Sequence, residues 1–174
     1  MKVAIAYYSF TGNTKKAVGV IAEILKAQNN SVQLLEIQAP KGSANFFIQC
    51  LRAVVRKKVE ILPIETDLSA YDLVILGCPI WAREMVPAMR QFLEKASGIN
   101  GKRAAVFVTY GSGFGKEHCL ASMERALKQK GASEVSRFSL SQFKVGDREL
   151  IEKLLRACPP SALHNADQGR ALKD

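Results

Sequence analysis

Apolar residues in this chain switch period repeatedly, from unbroken short runs to helical spacing and back, and that alternation limits the possible folds more than any motif does. Lys2 to Tyr8 (KVAIAYY) is a short apolar run. From Thr14 to Gln28, Ala17, Val18, Ile21, Ile24 and Leu25 recur on one helical face. Ser31 to Ile37 has strand character again, and Pro40 and Gly42 break the chain. Phe47, Cys50, Leu51, Val54 and Val55 follow at helical spacing until Pro63. Asp72 to Cys78 (DLVILGC) is a third strand, followed by a helical stripe of Met89, Phe92, Leu93 and Ala96 with Pro87 at its first turn. Ala104 to Tyr110 is a fourth strand; Leu120, Met123 and Leu127 mark the next helix, with Gly131 placed to end it. Val135 to Leu140 is a fifth strand, and Asp147 can cap a helix holding Leu150, Ile151, Leu154 and Leu155.

Strands that alternate with helices predict an α/β three-layer sandwich, a parallel sheet with helices on both faces. The first, third and fourth strands are nearly continuous apolar runs, as strands buried on both faces are. The second and fifth carry Gln33, Glu36, Ser136, Arg137 and Ser139, as edges can. The predicted sheet is therefore five-stranded, in the order 2-1-3-4-5. One domain is expected over residues 1–158, with a poorly ordered tail over residues 159–174. A chain of 174 residues, 48% hydrophobic, buries enough surface for such a core, and its composition excludes intrinsic disorder.

No uncharged apolar run reaches the roughly 18 residues of a membrane span. The opening MKVAIAYYSF is apolar like a secretory leader only as far as Thr11-Gly12-Asn13-Thr14-Lys15-Lys16. The expectation is a soluble, cytoplasmic protein. Its four cysteines form no CxxC pair and share no metal-ligand spacing with His118 and His164, so no metal site is expected and a reduced compartment is. The formal charge of +9 favours acidic partners. Its densest cluster, Arg52, Arg56, Lys57 and Lys58, is short and interleaved with apolar residues, as a solvated helix face is.

Ligands of open parallel sheets bind at the carboxyl ends of the central strands. Three loops fall there. Ser9-Phe10-Thr11-Gly12-Asn13-Thr14 sets hydroxyls, an amide and a glycine at a helix N-terminus, where unpaired N–H groups and the helix dipole favour an anion. It lacks the GxxxxGK[ST] spacing of a Walker A loop. One residue would suffice as an ordinary cap, so the surplus of hydroxyls points to a phosphate. Gly77-Cys78-Pro79-Ile80-Trp81-Ala82-Arg83-Glu84 carries the chain's single tryptophan, a platform for a planar ring. Thr109-Tyr110-Gly111-Ser112-Gly113-Phe114-Gly115 lets backbone approach a ligand closely and offers two more rings.

In these three motifs, SFTGNT, GCPIW and TYGSGFG, the chain resembles the flavodoxin-like FMN-binding family over about residues 2–157. The resemblance implies that Ser9, Thr11, Asn13 and Thr14, with nearby amides including those of Phe10 and Gly12, hold the FMN phosphate. It implies that Pro79, Ile80 and Trp81, with Ala82, lie along the flavin ring, and that Thr109, Tyr110, Gly111, Ser112, Gly113, Phe114 and Gly115 close its other side. The stretch Ala44 to Leu68 is similar to flavodoxin-fold proteins other than the short acidic carriers. Such a protein transfers electrons through its flavin to a protein or small-molecule acceptor. The alternative within the same fold is an NAD(P)H-dependent quinone or flavin reductase. Either way the cofactor carries the chemistry and no side chain need be catalytic.

Two departures from the family pattern stand out. A charge of +9 is opposite to that of the acidic carriers, and suits an acidic redox partner. Arg83 follows the ring-binding segment, where a positive charge near the flavin would raise its potential. Cys78 and Cys119 flank the expected site as redox-sensitive thiols or as small buried hydrophobes. A basic nucleic-acid-associated protein that kept the fold without the cofactor is a third possibility, but no nucleic-acid motif is readable, and nucleic acid is not expected as a partner.

Overall fold

The computed structural model describes residues 1–39 and 59–158. The helical stripe from Phe47 to Val55 and the tail over residues 159–174 lie outside the described residues.

The chain runs β1 (Lys2–Tyr7), α1 (Asn13–Ala27), β2 (Ser31–Glu36), β3 (Leu73–Trp81), β4 (Glu84–Met85), α2 (Pro87–Lys95), β5 (Arg103–Tyr110), α3 (Lys116–Gln129), β6 (Glu134–Ser141) and α4 (Arg148–Ala157). The main sheet is parallel throughout, in the order β2-β1-β3-β5-β6. That is the predicted order, with β5 and β6 as the expected fourth and fifth strands. Register places Val3 beside Leu73 and Leu73 beside Arg103.

Side chains of the central strands alternate between two apolar layers, as the period of a strand requires. Val3, Ile5, Leu73, Ile75, Ala105 and Phe107 face α1 and α4; Ala4, Ala6, Val74, Leu76, Val106 and Val108 face α2 and α3. The edge strands are more exposed; within β2 only Leu35 is buried. Helix ends follow their local chemistry. Pro87 opens α2, Asp147 Oδ1 accepts from Leu150 N–H at 3.0 Å to cap α4, and the Asn30 side chain donates to Leu25 O at 2.9 Å beyond α1.

The segment after the third strand differs from expectation. Strand β3 does not stop at Cys78 but continues to Trp81, then folds back as β4, so that Ile80 pairs with Met85 and Trp81 with Glu84. The turn residues, Ala82 and Arg83, both have left-handed backbones, φ 47° and 72°. Two positive φ angles in succession make the hairpin turn whose twist matches its strands. The expected loop from Gly77 to Glu84 is therefore strand and hairpin.

Candidate functional site

A cleft of about 310 Å³ opens at the carboxyl ends of β1, β3 and β5. Phe10, Thr11 and Asn13 line it from the first loop, Pro79, Ile80 and Trp81 from the end of β3, and Thr109, Tyr110, Gly111 and Ser112 from the end of β5. Gln142, just past β6, completes it; its N–H donates to Tyr110 O at 2.8 Å. No motif marks Gln142 in the sequence, because only the pairing of β6 with β5 carries it to the cleft.

Gly12 turns the chain into α1 at φ 89°, a conformation that a side chain would strain. The first N–H groups of a helix have no carbonyl in a preceding turn. That of Lys15 is taken by Ser9 Oγ at 3.2 Å. The Lys15 ammonium lies 2.9 Å from Glu36, and so is held by the edge strand. Thr14 is fully buried and its hydroxyl meets that of Thr109 at 2.8 Å, tying the first loop to β5. Of two linked hydroxyls, one donates to the other and the second keeps its proton for a further acceptor.

Trp81 is 3% exposed, and its ring meets those of Tyr8 and Phe10 edge-on at 5.7 and 5.6 Å. It is a fixed corner of the cleft rather than a free-standing platform. Burial pushes the Tyr8 phenol above its ordinary range, so it stays neutral.

Ala82, Gly113 and Phe114 stand at a second hollow that adjoins the cleft. Gly115 begins α3 at φ 80° and packs so closely on Arg83 that a Cβ there would lie 2.5 Å from Arg83 Cγ. The hairpin tip and the third loop therefore fit each other only through a glycine. Cys78 and Cys119 are wholly buried in the layer under α2 and α3. A hydrogen bond with Cys78, then burial, holds the Cys119 thiol far above its usual range, so it remains protonated.

Polar donors at a helix N-terminus, rings beyond them and a cleft of this size suit a phosphorylated ligand with a planar ring system. Among the described residues no helix is long and apolar enough to cross a membrane.

The fold is shared with solved flavoproteins. A Lactobacillus acidophilus flavoprotein in complex with FMN superposes with a TM-score of 0.62 at 20% identity, covering 85% of this chain and 98% of that one. The two-electron reduced flavodoxin of Megasphaera elsdenii gives 0.54 at 21% identity, over 87% and 97%. Flavodoxin 2 of Bacillus cereus gives 0.55 at 21%, over 88% and 99%. These likenesses establish the flavodoxin-like architecture. Function comes from the sequence match of residues 1–144 to the model of one family. The chain belongs to the NADPH-dependent FMN reductase family, as a flavodoxin-like, FMN-binding redox protein.

Proposed function

We propose that FMN occupies the cleft with its phosphate at Ser9 to Thr14 and its ring system among Phe10, Pro79, Ile80, Trp81 and Tyr110, and that the loaded protein oxidises NADPH and reduces an acceptor from solvent, a quinone or a free flavin. The observation that carries this is the cleft itself: Thr11 and Asn13 at the N-terminus of α1 together with the rings of Phe10, Trp81 and Tyr110, at the ends of three central strands. When bound, FMN supplies hydride acceptance and electron release. The protein's part is to hold and orient. Gly12 lets the backbone approach a phosphate, the Thr14–Thr109 pair fixes the loop beside it, and the packed Trp81–Phe10 corner sets where a ring can lie. Ala82, Gly113 and Phe114 line the hollow that adjoins the cleft, and Gly115 packs on Arg83 beside it.

A second acceptor class has its own support. Phe114 and Phe143, 72% and 82% exposed, stand beside cleft residues on a chain of net charge +9, a surface suited to an acidic redox protein. We place the protein in a reducing cytoplasm, in keeping with the free thiols of Cys78, Cys119 and Cys158.

The test is spectroscopic. The purified protein is mixed with FMN and freed of excess; retained flavin bands with quenched fluorescence support the site, and their absence at high FMN refutes it. Anaerobic NADPH should then bleach those bands without any partner protein. Bleaching only when a protein reductase is added would leave an electron carrier in place of an enzyme. Slower association with an acidic redox protein at high salt would mark that protein as the acceptor; equal rates would remove it.

A further inference from the structure

The cleft does not end at Tyr110 and Ser112. A second hollow of about 170 Å³ shares Ile80, Tyr110, Gly111 and Ser112 with it and reaches on to Arg83 and Phe114. One cation, Arg83, lines it, and a second, Lys116, rests on the ring of Tyr110, another of its lining residues. The Arg83 guanidinium lies over the Phe114 ring, 5.2 Å from its centroid, and Lys116 Nζ lies 5.3 Å from the centroid of Tyr110. Neither has a carboxylate partner among the described residues. Elsewhere such partners are common: Lys15 has Glu36, Arg148 has Glu23, Lys128 has Glu124 and Arg156 has Glu152. Glu84, the carboxylate next to Arg83 in sequence, is turned away to His118 at 3.0 Å and Arg90 at 3.4 Å.

A cation resting on an aromatic face makes a weaker contact than charge-assisted hydrogen bonds to a phosphate, and a stacked guanidinium keeps its planar fork of donors. The same lining includes Gly111, Ser112 and Gly113, which offer backbone and one hydroxyl, and it holds no carboxylate to repel an anion. Left-handed Ala82 and Arg83 hold the arginine at this position, and the bare Cα of Gly115 makes room for its stem.

Resting on the reading that NADPH gives up its hydride in the adjoining cleft, we propose that this hollow receives a phosphate of the dinucleotide, and that Arg83 and Lys116 recognise it. The hollow shares its wall with the cleft, so one extended molecule can reach both. The phosphate is either the 2′-phosphate, in which case the two residues set the preference for NADPH over NADH, or the pyrophosphate that both nucleotides carry.

The experiment is calorimetric titration of the FMN-loaded protein with NADP+ and with NAD+, in the wild type, Arg83→Asn and Lys116→Gln. Asparagine tolerates a left-handed backbone, so the hairpin is kept, and Lys116→Gln leaves the hairpin untouched. The expected result is a loss of NADP+ affinity of about tenfold in each variant, a shallower salt dependence, and an FMN dissociation constant and melting temperature close to wild type. A loss confined to NADP+ assigns the 2′-phosphate; an equal loss for NAD+ assigns the pyrophosphate. Unchanged affinities in both variants, or a wild type that holds FMN and binds no NADP+, overturn the inference while the flavin site stands. A wild type that retains no FMN overturns the underlying reading and this inference with it.

Discussion

The hydroxyl of Thr14 is sealed from water, and the hydroxyl of Thr109 is what it meets. Removing one partner strands the other, which costs more than removing both. Thr109→Val should therefore lower stability by about 1–2 kcal/mol, and adding Thr14→Val should cost less than a second such step. Urea unfolding of Thr109→Val, Thr14→Val and the double variant measures this; a purely additive double variant would mean that the pair is not coupled. Tyr7 makes a second residue-scale prediction. Burial, reinforced by the Glu36 carboxylate to which it hydrogen-bonds, pushes its phenol from 10.0 to about 12. The unfolded chain thus loses its proton before the folded one does. This contribution to stability is complete below pH 10 and is lost as the pH rises toward about 12. Tyr8 and Tyr71 are pushed the same way, so Tyr7→Phe should remove part of the alkaline fall in stability rather than all of it. A variant whose stability declines as steeply as wild type between those pH values would contradict this.

Among the elements, the β3–β4 hairpin is the one that pattern reasoning cannot see. Hairpin turns of its kind announce themselves through Asn-Gly or Asp-Gly, and here the two positions are Ala82 and Arg83. A left-handed backbone at a residue with a Cβ costs about 1–2 kcal/mol, so the turn is held by what packs on it. Ala82→Gly should raise stability by up to about 1 kcal/mol, the strain relieved being partly offset by the greater freedom of glycine when unfolded. Thermal unfolding decides it, and a destabilised variant would show that the turn is not strained at Ala82. The other elements are legible because their signals are local. The central strands β1, β3 and β5 show as apolar runs since both of their faces are covered, and Pro87 and Asp147 mark helix starts by the chemistry of unpaired N–H groups. The first loop and Pro79 to Trp81 could be placed at the cleft from sequence, because they lie at the carboxyl ends of central strands. Gln142 and the inward packing of Trp81 could not, because each depends on contacts with distant segments.

For the molecule as a whole, a cofactor that binds only the folded state should hold that state together. At free FMN one hundred times its dissociation constant, the gain is about 2.7 kcal/mol, readable as a rise in melting temperature. Riboflavin has the same ring system without the phosphate, and should give a clearly smaller rise at equal concentration if the α1 N-terminus binds that phosphate. Equal rises would move the phosphate elsewhere. The all-parallel main sheet carries one more consequence, in the order of events as the chain folds. Parallel neighbours cannot zip together from a tight turn; each pairing must wait for a crossover to close a loop. Val3 pairs with Leu73, far along the sequence, only once the chain between them has closed into a loop, and β5 must still arrive beside β3. A cleft assembled from the tips of those three strands has no half-made form. Newly synthesised chains should remain colourless until nearly all of the sheet exists, and the first appearance of bound flavin would time the completion of the fold.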